Sequence, residues 1–121
     1  MFTVSVETHF WASHQLALPD GSKEPLHRHN WQITVEVSSD RLNTMGVVMD
    51  FCWLKATVKK IVGGLSNTAL EEKDYFRQNN SSAEAVAKYV YDKLEPKLPK
   101  GVKLDAVTVV EEPGCRAKYR K

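Results

Sequence analysis

The sequence predicts an α+β fold: an antiparallel, four-stranded sheet with two helices on one face. Three observations lead there. Residues 2–14 and 27–38 alternate apolar and polar side chains, the period of a half-buried strand. Two later stretches, after Asp50 and after the Ser81-Ser82 pair, repeat apolar residues at helical spacing. The chain then returns to extended patterns in VKLDAVTVVEE and CRAKYR. Strands that precede and follow a block of helices argue against the strand-helix alternation of a parallel sheet. At 121 residues the chain is expected to be one domain, 1–121, without internal repeats.

Each element has its own warrant. In the first strand Phe2, Val4, Val6, Phe10 and Ala12 share a side, and Thr3, Ser5 and Glu7 take the other. If the register is unbroken, His14 joins the inward side; a bulge ahead of it turns it out. LPDGSKEP, rich in turn residues, is a loop. In the second strand Trp31, Ile33, Val35 and Val37 share a face that extends back to His29 and His27. SSDRLN is a turn. Asp50 is placed to cap a helix carrying Phe51, Leu54, Val58, Ile61 and Leu65. A long irregular connection, GGLSNTALEEKDYFRQNN, with one short helical turn, leads to the second helix. Ser82 or Ser81 caps it, and Ser81 with Glu84 has the spacing of a capping box. Ala83, Val86, Ala87, Val90 and Leu94 form its stripe, and EPKLPKG ends it.

Composition excludes several functions. Seventeen Lys and Arg against fifteen Asp and Glu leave the chain near neutrality, with no basic run that would track a nucleic-acid backbone. The apolar runs are too short to span a bilayer. The N-terminus has neither the basic nor the apolar region of a signal peptide, so a cytoplasmic setting is expected. Cys52 and Cys115 are the only cysteines and make neither a disulfide framework nor a CxxC motif. Cys52, within the first helix, reads as a small buried hydrophobe.

The chemistry concentrates in EPLHRHN, residues 24–30. His27 and His29 point the same way on a strand, and His14 can join them from its neighbour. Three imidazoles leave a zinc ion one open position, the catalytic rather than the structural arrangement. The same spacing also suits two hydrogen-bonded histidines at a strand end. His9 falls on the other face, as a surface residue.

FWASHQL, HRHN opening a strand, MGVVMDF, SSAEAVAKYV and VTVVEEPGCRAKY occur in the order seen in the 6-pyruvoyltetrahydropterin and 6-carboxytetrahydropterin synthases, and the chain resembles that family over nearly its whole length. The resemblance implies the tunnelling fold, in which the sheets of three subunits join into a barrel and two trimers usually stack. It implies zinc on His14, His27 and His29, and a pterin ring held by Glu111. A carboxylate suits that role, because it accepts two parallel hydrogen bonds from a ring N–H and an exocyclic amino group. Asp50 matches a structural cap. Ser82 stands for a threonine near a helix start and, with Asn67, is a candidate substrate contact. Arg28 replaces a glycine between the two histidines, where its bulk is expected to narrow or recharge the pocket.

Two departures concern proton transfer. The family's catalytic cysteine, a few residues before the first histidine of the pair, has no counterpart in DGSKEPL, and Glu24 stands in that region. That resembles a branch of the family that cleaves the side chain of dihydroneopterin triphosphate to give 6-hydroxymethyl-dihydropterin. Glu24 is also compatible with an ordinary loop acid. The family's Asp-His pair, within LDHxxLN, is replaced by Ser66 and Asn67 of LSNTALE, neither of which is a base near neutral pH. Three functions follow: a zinc-dependent lyase acting on a reduced pterin with Glu24 as acid or base, a pterin-binding homologue without catalysis, and an enzyme of a different pterin-like or purine-like heterocycle. Each is expected as a homo-oligomer, without nucleic-acid or membrane partners.

Overall fold

The computed structural model describes residues 1–121. Strands β1 (Phe2–His14) and β2 (His27–Ser39) pair antiparallel from Phe2 opposite Ser39 to His14 opposite His27. No bulge interrupts β1 in that register, so Val6, Thr8, Phe10, Ala12 and His14 all turn inward. Phe2, expected on that face, is exposed; as the first strand residue it lies outside the core cluster.

Helix α1 (Phe51–Gly63) starts where Asp50 accepts the Cys52 N–H, at 2.8 Å, and buries Leu54, Val58 and Val62. Phe51 and Cys52 are exposed in its first turn, which corrects the reading of Cys52 as a buried hydrophobe. The connection holds a two-residue strand β3 (Thr68–Ala69), a 3-10 turn at Leu70–Glu72 and a short helix α2 (Asp74–Gln78). Helix α3 (Ala83–Leu94) is capped by Ser82, whose hydroxyl accepts the Ala85 N–H at 3.1 Å, so the Ser81 capping box does not form. β4 (Lys103–Glu112) and β5 (Cys115–Tyr119) complete the sheet through a tight turn in which Gly114 takes a φ of +88°.

The sheet has five strands in the order β3-β1-β2-β4-β5, one more than expected. The extra strand, β3, runs parallel to β1, with Thr68 beside Ala12 and Ala69 beside Ser13. Two residues carry no period, which is why the pattern does not reveal it. No helix is long and apolar enough to cross a membrane.

Two irregularities interrupt the pairing of β4: one against β2, which sets the face of its inner half, and one at Glu111, where the pairing with β5 passes from Val110 to Glu112. Between Glu36 and Val37 the pairing with β2 skips Asp105: Glu36 lies opposite Ala106 and Val37 opposite Leu104. Asp105 is held by the Ser38 hydroxyl at 2.9 Å. The additional residue shifts the inward set from Leu104 to Val107 and Val109, while Ala106 follows Glu36 to the other face, and Glu111 falls on the side of Val107 and Val109.

Trp31 ties the core to the end of the sheet where the histidines lie. It is fully buried, donates its indole N–H to the Ala12 carbonyl at 3.1 Å, and meets the rings of His14 and His29 edge-on at 4.8 and 5.7 Å. Trp31→Ala is expected to destabilise the protein by about 3–5 kcal/mol, the usual cost of truncating a core aromatic. Chemical denaturation measures this, and a loss below about 1 kcal/mol would contradict the packing described.

Candidate functional site

The unbroken pairing of β1 with β2 sets His14 directly opposite His27, and His29 follows two residues on. Their side chains meet at the end of the sheet, with one ligand atom from each within 4.8 Å of the others. Backbone carbonyls orient two of the rings. His14 Nδ1 donates to the Ser81 carbonyl at 2.6 Å and His27 Nδ1 to the Pro25 carbonyl at 2.8 Å. With the proton on Nδ1, each Nε2 keeps a lone pair for a ligand. The Nε2 atoms of His14 and His29 are buried and have no hydrogen-bond partner.

Two carboxylates close on these nitrogens. Glu111 places Oε1 3.6 Å from His14 Nε2 and Oε2 3.8 Å from His29 Nε2. Glu24 Oε1 accepts the Leu16 N–H at 3.0 Å and lies 3.9 Å from His27 Nε2. Burial pushes the His29 pKa below its ordinary value; Glu111 opposes the shift, and His14 and His27 add to it. A neutral His29 adds another lone pair to the group. Carboxylate oxygens facing imidazole lone pairs repel unless a cation or protons lie between them. The donor set therefore fits a divalent metal ion, and three imidazole nitrogens with nearby carboxylates suit zinc among others.

Beside the histidines, Glu111 lines a cavity of about 270 Å³ whose walls include Leu16, Ser82, Glu84, Cys115 and Arg116. Ser82, a predicted substrate contact, thus borders this space while also capping α3. A larger hollow of about 430 Å³ involves His9, Asn30 and Arg116, and its strand residues His9, Asn30 and Gln32 are on the opposite face of the sheet. The smaller cavity is the relevant one, because Glu111, which lies against His14 and His29, forms part of its wall.

Asn67 and Arg28 lie elsewhere. Arg28 alternates with His27 and His29, so it points to the other face, where its guanidinium stacks over Trp11 at 4.8 Å. It donates to Asn67 Oδ1 at 3.1 Å, and the Asn67 N–H donates to the Trp11 carbonyl at 2.6 Å. The expectation that Arg28 narrows the metal pocket of its own chain is corrected by this alternation. Asn67 does not reach the three histidines of its own chain either. It takes a left-handed φ of +58°, which asparagine tolerates well.

Sequence reasoning missed Glu84 as a cavity residue, and the carbonyls of Ser81 and Pro25 as the groups that orient the rings. A carbonyl carries no side-chain signature. The spacing of Glu84 from Ser81 points instead to a capping box.

Fold and site define a small α+β protein whose sheet ends in a three-imidazole cluster able to hold a metal ion, flanked by carboxylates and a cavity. The sequence profile of 6-pyruvoyl tetrahydropterin synthase matches residues 3–121. A 6-carboxy-5,6,7,8-tetrahydropterin synthase from Synechocystis is 33% identical, over 98% of this chain and 93% of its own. The Haemophilus influenzae protein of the same name is 24% identical over the full length of both. Among solved structures, the Caenorhabditis elegans 6-pyruvoyl tetrahydropterin synthase superposes with a TM-score of 0.87, at 24% identity and over 99% of this chain and 95% of its own. A Plasmodium vivax 6-pyruvoyltetrahydropterin synthase with a catalytic glutamate replaced by alanine gives 0.77, at 22% identity over 99% and 97%. The chain belongs to the 6-pyruvoyl tetrahydropterin synthase family.

Proposed function

We propose that this protein holds zinc on His14, His27 and His29 and acts on a reduced pterin such as 7,8-dihydroneopterin triphosphate, cleaving its side chain with Glu24 as the acid/base. The observation that carries the reading is the convergence of buried, unpartnered imidazole nitrogens with the carboxylates of Glu24 and Glu111. The pterin chemistry named for the Synechocystis and Haemophilus influenzae relatives supports the substrate class. The catalytic glutamate of the Plasmodium vivax protein supports a carboxylate in place of the family's cysteine.

Zinc bound at the three imidazoles supplies a positive centre that polarises a substrate oxygen. The rest falls to the chain. Glu24, held by the Leu16 N–H, removes a proton from the side-chain hydroxyl beyond the bond that breaks. The C–O⁻ becomes an aldehyde as the carbon–carbon bond cleaves, and its electron pair passes to the carbon attached to the ring. The same carboxyl returns the proton to that carbon, giving the hydroxymethyl product. Glu111 is the candidate ring anchor. Its position against His14 and His29 would bring the ring hard against the cluster, and Glu84 on the same cavity offers a second acceptor pair.

Beyond the site, β5 is an edge strand of the sheet, and pairing it with a second copy would cover that edge, in keeping with a barrel of joined subunits. The two free, exposed cysteines suit a reducing cytoplasm.

Zinc-loaded protein incubated with 7,8-dihydroneopterin triphosphate should release 6-hydroxymethyl-dihydropterin, read by mass spectrometry. A second reading, pterin binding without turnover, is favoured by Asn67 being tied to Arg28 on the far face, where it cannot serve its own chain's cluster. Calorimetric binding of neopterin with no product would select that reading. Absence of both binding and product would exclude pterins and leave a different heterocycle.

A further inference from the structure

The proposed metal site leaves unexplained a carboxylate on the far side of His14. Glu71, in the 3-10 turn after β3, reaches under the end of β1. Its Oε1 accepts the N–H of Gln15, the residue next to His14, at 2.6 Å, and the hydroxyl of Ser81 at 3.0 Å. Ser81 is completely buried and is the residue whose carbonyl receives the His14 Nδ1 proton. The Ser81 hydroxyl has one proton and two acceptors in reach. The Gln15 carbonyl is the more distant, at 3.3 Å, and the carboxylate is the stronger acceptor. One oxygen therefore binds together the backbone on both sides of the His14 ring.

The second oxygen of Glu71 is buried without a partner. Both hydrogen bonds fall on Oε1, the oxygen that serves the histidine. Groups that hold the far nitrogen of a metal-ligating imidazole fix its tautomer and its aim, and here that group is a main-chain carbonyl, which cannot be placed by its own side chain's identity. It has to be held from outside.

We propose that Glu71 is a positioning residue: through Ser81 and Gln15 it fixes the ring of His14 with the proton on Nδ1 and the free lone pair of Nε2 toward His27 and His29. The consequence for metal affinity rests on the reading of the cluster as a zinc site; the consequence for the ring does not.

The test separates the two. Nitrogen-15 spectra of the imidazoles in metal-free protein, at a pH where they are neutral, report the His14 tautomer. Wild type is expected to show Nδ1–H alone. Glu71→Ala is expected to give a mixture, and Glu71→Gln, whose carbonyl oxygen can accept the same two bonds, to restore the wild-type signal. Zinc competition against a chromophoric chelator should show Glu71→Ala weakened roughly 10–100-fold and Glu71→Gln close to wild type. If Glu71→Ala does not fold, Ser81→Ala, which keeps the carbonyl and loses only the hydroxyl, is expected to move both readouts the same way. A wild-type tautomer and unchanged zinc affinity in Glu71→Ala, or in Ser81→Ala where the first variant is unfolded, overturn the proposal even if melting temperature falls. A shifted tautomer in a protein that never binds zinc sustains the positioning role and removes the metal reading.

Discussion

Replacing His14 with alanine is expected to abolish zinc binding while leaving the other two histidines in place. His14 is 1% exposed, its Nδ1 is held at 2.6 Å from the Ser81 carbonyl, and its Nε2 has no partner. It is the most buried of the three rings. Removing it leaves two imidazoles, with Glu111 the nearest replacement ligand. The loss should exceed the roughly 10–100-fold that follows from disturbing an outer partner of a ligand. Equilibrium dialysis with zinc measures it. Retained stoichiometric zinc at wild-type affinity would mean that the ion sits elsewhere and that the histidine cluster is a packing arrangement. His14→Gln, closer in volume, guards against a general collapse around Trp31.

Glu24→Gln is expected to lower turnover of dihydroneopterin triphosphate by about 10²–10⁴-fold, the range for removing a general acid or base. Glutamine retains the carbonyl oxygen that accepts the Leu16 N–H, so the loop keeps its hydrogen bond. It cannot take up a proton. Zinc content and neopterin affinity should stay near wild type, which distinguishes lost chemistry from a lost site. Turnover within threefold or so of wild type would make Glu24 a loop acid and move the search for a base to Glu111, the other carboxylate against the histidines.

Much of the site can be read in the sequence, and the reasons are local. A period of two puts His27 and His29 on one face whatever else the chain does. The long uninterrupted alternation of β1 carries that parity from Val6 to His14. Capping chemistry located the start of α1 at Asp50, and left the start of α3 between two adjacent serines. The structure gave the cap to Ser82 and freed Ser81 to receive the His14 proton on its carbonyl and to meet Glu71 through its hydroxyl. Nothing in the sequence separates two neighbouring serines with the same hydroxyl.

What depended on contacts between distant segments was decided only by the tertiary structure. Glu111 faces the histidines because β4 carries one extra residue at Asp105 against β2, and a one-residue shift exchanges the two faces of a strand. Arg28 and Asn67, separate departures from the family pattern, meet over Trp11 because β3 lies beside β1. By itself the sequence put His27 and His29 on one face of a strand and set the order of the main strands and helices, because these follow from periodicity within single elements. His14 as the third imidazole and Glu24 as a site residue came from the resemblance to the family. The packing of those elements determined which carboxylates close on the imidazoles and which side chains turn away, since register and bulges are settled between strands rather than within one.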